Sequence, residues 1–283
     1  MWRAIFQQWS GLLQGSLTLF LQLAIWLLAL GLVFGLLERW RPREMEGRNA
    51  GDGRRESLSA DLAYYFIGGL VPSFVIAAGA VLSIVLLHPL LPEAPRAAMA
   101  GLPAVVKIGL GVVLGDFAYY WAHRAQHALP ALWRLHAIHH SPTKLDWLVN
   151  TRAHPLDLSL SQIAAFAMMY IVGVAKLDGG GADPVASIVV VITTAQAFFV
   201  HANTRLRLGW LEKVLVTPAF HHWHHANDGP ATDNKNFGGI FPFWDRLFGT
   251  LHLPPDALPQ RYGISAHIPA ALWRQLLLPR VER

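Results

Sequence analysis

Three runs of histidine carry the chemistry that this chain can do. They are His123-Arg-Ala-Gln-His127, His136-Ala-Ile-His139-His140 and His221-His222-Trp-His224-His225. On a helix, positions i and i+4, or i, i+3 and i+4, share one face, so both H-x-x-x-H and H-x-x-H-H present converging imidazoles. With 14 histidines in 283 residues, one H-x-x-H-H arises by chance only about 0.03 times per chain of this composition. Two of them beside an H-x-x-x-H are therefore read as metal-ligand spacing. Imidazole suits zinc, copper, iron and nickel, and a site of many histidines without thiolate leaves iron and zinc as the candidates. A catalytic zinc takes about three protein ligands, whereas these runs offer eight histidines without His222, which implies two metals. The first run lacks the glutamate that a zinc protease would use as general base, since Arg124 follows His123. A bis-histidine haem would need single histidines at depth in facing spans, not clusters at their ends.

The elements that must position these residues are membrane helices. The chain is 53% hydrophobic, only 14% charged and has positive mean hydropathy, against about 25% charged residues in ordinary soluble domains. There is no cysteine, which excludes disulfides, thiolate-ligated zinc or haem, iron–sulfur clusters and a cysteine nucleophile. Residues 16–37 contain no charge over 22 positions, enough to cross a hydrocarbon core of roughly 30 Å. The run is longer than a signal-peptide core and lacks its cleavage pattern, so it is expected to remain as a span. Further spans are expected at 61–87, interrupted by Pro72, and at 102–122, 158–175 and 185–200. The last is short and is expected to be tilted or partly re-entrant.

Orientation is read from the basic residues. Arg39, Arg41, Arg43, Arg48, Arg54 and Arg55 follow the first span, against Arg3 before it and Arg96 in the next loop. The 38–60 loop is therefore expected on the cytoplasmic side. Alternation then puts 12 of the 14 histidines on that side, with His88 outside and His201 at the inner end of the fifth span. The net charge of +5 is read as topology and contact with anionic lipid, not nucleic-acid binding. The fold expected is all-α: a polytopic membrane protein of four to five transmembrane helices with a cytoplasmic, histidine-rich two-metal cap. Its parts would be amino-terminal helices over 1–101, a catalytic domain over 102–253 and an interfacial tail over 254–283, with Gly179-Gly-Gly181 as an external turn.

If the 102–122 helix continues through His127, then Asp116, Tyr120, His123 and His127 form one stripe. An ionisable residue in a span is costly, and Asp116 is expected to orient a ligand imidazole. The alternative is a structural pairing with an arginine or hydroxyl at the interface. Asn236 and Asp245 follow the last run in loops returning to the site and are expected to support ligands, with capping as the alternative. Trp121, Trp133 and Trp223 adjoin the ligand runs and are considered for the substrate channel; His252 and His267 lie outside ligand spacing.

These residues resemble the fatty acid hydroxylase and sterol desaturase superfamily. The matching blocks are Asp116-Phe-Ala-Tyr-Tyr-Trp-Ala-His123-Arg-Ala-Gln-His127, Leu132-Trp-Arg-Leu-His136-Ala-Ile-His139-His140-Ser141 and Pro218-Ala-Phe-His221-His-Trp-His224-His225. Asp233-Asn-Lys-Asn236-Phe-Gly238 and Trp244-Asp-Arg-Leu-Phe-Gly-Thr250 match as well, and the wording resembles the branch containing alkylglycerol monooxygenase and its bacterial relatives. The resemblance implies a membrane oxygenase with two non-haem irons, using O2 and two external electrons to hydroxylate or desaturate a lipid chain drawn from the bilayer. It carries over His123, His127, His136, His139, His140, His221, His224 and His225 as ligands, and His201 in Phe198-Phe-Val-His201-Ala-Asn203 as a ninth. His154, before Pro155, resembles a His-Pro element of some branches and is a further candidate ligand, although the alkylglycerol branch departs from it here. His222 falls between motif positions. No cytochrome b5-like segment is present, so the electrons are expected from a separate cytochrome b5-like protein, a ferredoxin and reductase, or a reduced pterin. The rival readings are a zinc-dependent membrane hydrolase and a histidine-rich metal transporter or buffer. Substrate, outcome (hydroxylation, desaturation or ether cleavage) and oligomeric state are left open by the sequence.

Overall fold

The computed structural model describes residues 2–42, 58–175, 184–255, 257–269 and 271–277. Gly179-Gly-Gly181 and the arginines at 43, 48, 54 and 55 lie outside the described residues. The described chain is all-helical. It runs through α1 (Trp2–Trp40), α2 (Leu58–Leu87), α3 (Glu93–Ala100), α4 (Ala104–Ala128), α5 (Pro130–His140), α6 (Pro155–Val172), α7 (Pro184–His201), α8 (Pro218–His224), α9 (Phe243–Leu247) and α10 (Leu272–Leu276). Among the described residues, β pairing is limited to two isolated bridges, Pro42 with Thr204 and Ala226 with Tyr262.

Proline punctuates the path. Pro130, Pro155 and Pro218 occupy the first turns of α5, α6 and α8, where the fixed φ suits helix entry and the missing N–H has no intrahelical partner to lose. At the other end of α6, Gly173 closes the helix in the left-handed region at φ 86°. A Cβ there would stand 2.8 Å from the Arg96 backbone, so glycine lets α3 lie over that helix end.

Among the described residues, four segments are long and apolar enough to cross a bilayer: Leu17–Trp40, Ala104–Ala128, Pro155–Val172 and Pro184–His201. The helix α2 is 30 residues long and continues through Pro72 without a break. α4 extends to Ala128 and so carries both His123 and His127 on one helix, and α7 has 18 residues and ends on His201. Lipid replaces water as the partner of the outer faces: Ile25, Leu28 and Val105 are exposed, a pattern expected where the solvent is itself apolar. Inside, one core joins Phe34 of α1, Tyr65 of α2 and Phe198 of α7 with Leu148. A second joins Met169 of α6, Val174 and Ala175 beyond it, and Val185 and Val189 of α7. Gly111 allows α4 close to α7, since a Cβ there would meet Val189 Cγ2 at 2.9 Å.

The helices set the height of the histidines. At 1.5 Å per residue, His123 stands about 29 Å along α4 from Ala104, and His201 about 26 Å along α7 from Pro184. Both are at the same end of the bundle. The short elements α5 and α8 fold across that end and bring the remaining histidine runs against them.

Candidate metal centre

Nine buried histidines assemble into two adjacent groups. His123, His127, His136, His140 and His224 form one; His139, His201, His221 and His225 form the other; within each, one ring nitrogen per residue lies within 4.8 Å of the rest. Each H-x-x-H-H run is divided. His136 and His140 enter the five-histidine group while His139 enters the other; His221 and His225 enter the four-histidine group while His224 crosses to the five. Helix geometry explains this division. Positions i and i+4 differ by about 40° around the axis, whereas i+3 and i+4 differ by about 100°, so neighbouring histidines point to different places.

The ring nitrogens facing inward have lone pairs. Nδ1 of His123 donates to the Phe237 carbonyl (2.9 Å), Nδ1 of His139 to that of Arg152 (3.2 Å), Nδ1 of His201 to that of Ala197 (2.7 Å) and Nδ1 of His224 to that of Lys235 (2.8 Å). Nδ1 of His136 donates to Asp157 Oδ2 at 3.0 Å. A carbonyl only accepts, and a neutral imidazole has one N–H, so the Nε2 of His123, His139, His201 and His224 is unprotonated. Yet Nε2 of His139 and His201 are 3.1 Å apart. Two lone pairs at that distance repel, and the Nε2 of His224 is buried with no hydrogen-bond partner at all. Protonation does not relieve this. Burial foremost, and then neighbouring imidazoles, hold His139, His140 and His221 well below the ordinary histidine value. Burial holds His224 and His225 down in the same way.

A cation at the focus of each group relieves the repulsion, so the residues fit a metal. Five histidines in one group exceed the four ligands of a tetrahedral zinc set.

The polar residues behind the rings differ in part from expectation. Asp116 touches no imidazole. Its Oδ1 accepts from the N–H of Gly239 (3.1 Å) and Ile240 (2.8 Å), and its Oδ2 from Phe241 N–H (2.9 Å) and Trp244 Nε1 (3.1 Å). It acts on the ligands only through the loop. Asp245 accepts from the N–H of Phe237 and Gly238 and from Thr250 Oγ1. Asn236, itself at φ 61°, donates to the carbonyls of Phe220 and His252 and accepts from His252 N–H. All three therefore fix the 235–241 loop, whose Lys235 and Phe237 carbonyls hold His224 and His123. Burial raises Asp245 above the ordinary carboxylate value, opposed by these donors.

The carboxylate that does hold a clustered imidazole, His136, is Asp157, on the first turn of α6, braced by Gln126 Nε2 at 2.6 Å. Sequence reasoning did not single it out, because the span was expected to begin at 158 and left Asp157 in the preceding loop, whereas α6 begins at Pro155 and takes it into its first turn.

His154 joins neither group. Its Nδ1 accepts from Leu156 N–H to cap α6, and its Nε2 lies 3.1 Å from the Leu276 carbonyl. The backbone preceding Pro155 is extended at this cap, which turns the ring away from the cluster. His222 contacts Tyr262 Oη (2.7 Å) and the Ala202 carbonyl (3.2 Å), outside both groups. Of the tryptophans, Trp133 packs on the rings of His127 and His140, Trp223 on His252, and Trp121 is partly exposed beside Phe248.

The fatty acid hydroxylase family model matches residues 108–250. Ornithine lipid hydroxylase OlsE of Rhizobium tropici is 33% identical over 182 residues, covering 62% of this chain and 51% of that protein. Alkylglycerol monooxygenase of Danio rerio is 30% identical over 150 residues, covering 53% and 31%. Very-long-chain aldehyde decarbonylase GL1-7 of Oryza sativa subsp. japonica is 26% identical over 167 residues, covering 56% and 25%. The chain thus spans about half the length of the first of these relatives and a smaller part of the others. No solved structure matches it. The family match takes in half of the chain and all nine clustered histidines, and the protein belongs to the fatty acid hydroxylase family.

Proposed function

We propose that the protein is a membrane-bound non-haem di-iron oxygenase that hydroxylates a lipid, with an alkyl or acyl chain or sterol-like body entering from the bilayer. The observation that carries this reading is the pair of buried imidazole groups with unprotonated nitrogens facing one another. Two irons held there would supply oxidation of an unactivated C–H bond by O2 with two external electrons, chemistry that no side-chain base can perform. Iron is favoured over zinc by the five-histidine group, which exceeds a tetrahedral set. Hydroxylation is favoured over desaturation by the two relatives named hydroxylase and monooxygenase.

The chain's own residues would prepare the site. Carbonyls of Ala197, Arg152, Lys235 and Phe237 and the carboxylate of Asp157 fix the ring tautomers, so that the inward nitrogens are ready as ligands without losing a proton. Burial of all nine rings keeps bulk water from the reacting centre. The carboxyl end of α1, with Arg39 and Arg41, meets the chain just past His201, so the basic end of the first span and the histidine end of the bundle share one side. That side is the cytoplasmic face by the distribution of basic residues, of the inner membrane in a bacterial cell. Electrons would arrive there from a separate donor, a cytochrome b5-like protein, a ferredoxin with its reductase, or a reduced pterin.

The test is metal analysis of protein purified from iron-replete cells, joined to comparative lipidomics of deletion and overexpressing cells. Expected are two irons per chain and a lipid that gains one oxygen, both lost in His136→Ala. Zinc in place of iron without O2 uptake, or full lipid oxidation by His136→Ala, overturns the reading.

A further inference from the structure

The four-histidine group is braced by two acids from helices that lie outside the family match. Asp61, in the first turn of α2, is 1% exposed and receives Arg152 Nε at 2.6 Å. Its backbone carbonyl also accepts from Thr151 Oγ1 at 3.1 Å. Together these hold the end of the short 3-10 turn Trp147–Thr151, and the next carbonyl, that of Arg152, receives His139 Nδ1. Glu38, near the carboxyl end of α1, uses one oxygen, Oε1, to accept from Trp147 N–H (2.9 Å) and from Asn203 N–H (2.8 Å). It thus clamps the start of that turn to the residue two past His201. The same end of α1 gives its Arg41 carbonyl to Thr204 Oγ1 and Arg205 N–H. His139 and His201 are the pair whose Nε2 atoms face each other at 3.1 Å, and each is tied to one of these braces. In the five-histidine group, His136 is held by Asp157 and His123 and His224 by the 235–241 loop.

We infer that Asp61 and Glu38 are positioning residues for the four-histidine group, Asp61 acting through Arg152 and its carbonyl on His139, Glu38 through the backbone that carries His201. The inference rests on the reading that the two groups bind metal, and on no particular reaction. Physically, each acid converts a buried backbone segment into a fixed one. A carboxylate accepting from two backbone N–H groups, or from a guanidinium at low exposure, forms charge-assisted bonds roughly twice as strong as neutral ones. Partners behind a ligand imidazole commonly change metal affinity by 10- to 100-fold. Loss of either acid should therefore empty one group and leave the other filled.

The experiment uses the full chain in detergent and titrates Fe2+ anaerobically, with Co2+ as a spectroscopic probe of each group. The wild type is expected to take two metals per chain. Asp61→Asn and Glu38→Gln are expected to bind one as the wild type does and the second about 10- to 100-fold more weakly. Arg152→Gln should match Asp61→Asn, and the double variant should be no worse than either alone, because the two act in series. Asp61→Glu, which keeps the charge, should recover much of the second site. Helical circular dichroism monitors folding. If Asp61→Asn fails to fold, Glu38→Gln and Asp61→Glu carry the test. Two metals bound by both acid variants with wild-type affinity overturn the inference, and so does parallel loss of both metals with helicity, the mark of a merely structural role. A wild-type chain that binds no metal instead overturns the metal centre itself.

Discussion

Replacing Asp116 by asparagine tests whether a residue with no ligand contact governs the five-histidine group. The carboxylate accepts four N–H donors, three from the Gly239–Phe241 backbone and one from Trp244. An asparagine has one acceptor oxygen, which can serve two of them, and its NH2 must then face the other two. Each buried donor left unsatisfied costs about 1 to 3 kcal/mol, so Asp116→Asn should cost about 2 to 6 kcal/mol. That is a large share of a typical stability of about 5 to 15 kcal/mol. The loss is local to the loop, and the loop's Phe237 and Lys235 carbonyls hold His123 and His224. The five-histidine metal should leave first while the four-histidine metal stays. Trp244→Phe removes one donor and keeps the other three bonds, so its effect should be about 1 kcal/mol with both metals retained. Thermal unfolding in detergent and metal stoichiometry under a chelator measure the two effects. A normal melting temperature with two firmly bound metals in Asp116→Asn, or selective loss from the four-histidine group, refutes the reasoning.

Asp157→Asn should weaken metal binding at the five-histidine group by about 10- to 100-fold, since His136 loses a charged partner; equilibrium titration with Fe2+ reads this. His154→Ala should keep two metals per chain and lose about 1 kcal/mol of stability, because the ring caps α6 and binds no metal; a missing metal would restore it as a ligand. The metal-free protein should lose stability as pH falls below about 6.5. His139, His140, His221, His224 and His225 stay neutral in the fold while the unfolded chain takes up protons in that range. Thermal melts from pH 8 to 5 check the sign, and a flat profile contradicts it.

Histidine spacing and apolar runs were legible because both are local. A helix of known pitch turns i and i+4 to one side, and a stretch of about twenty uncharged residues has few fates other than a span. The split of each H-x-x-H-H run between two groups follows from the same pitch, but only the packing of α5 and α8 against the ends of α4 and α7 shows which group each ring joins. His154 illustrates the limit. Its type and its neighbouring proline suit a ligand, and a backbone direction set by the start of α6 gives it to a cap instead.

The acids show the same boundary from the other side. Asp116, Asp157 and Asp61 are alike in sequence, each an ionisable residue in an apolar helix, and each is nearly fully buried. Their partners are 123 to 125 residues away for the backbone donors to Asp116, 21 for His136 to Asp157 and 91 for Arg152 to Asp61. The sequence by itself determined an all-helical chain with apolar spans, clustered imidazoles at metal-ligand spacing and no thiolate. The tertiary structure alone decided which rings gather into each group and which carboxylates hold them, because hydrogen bonds between distant segments depend on how the helices pack and not on any local period.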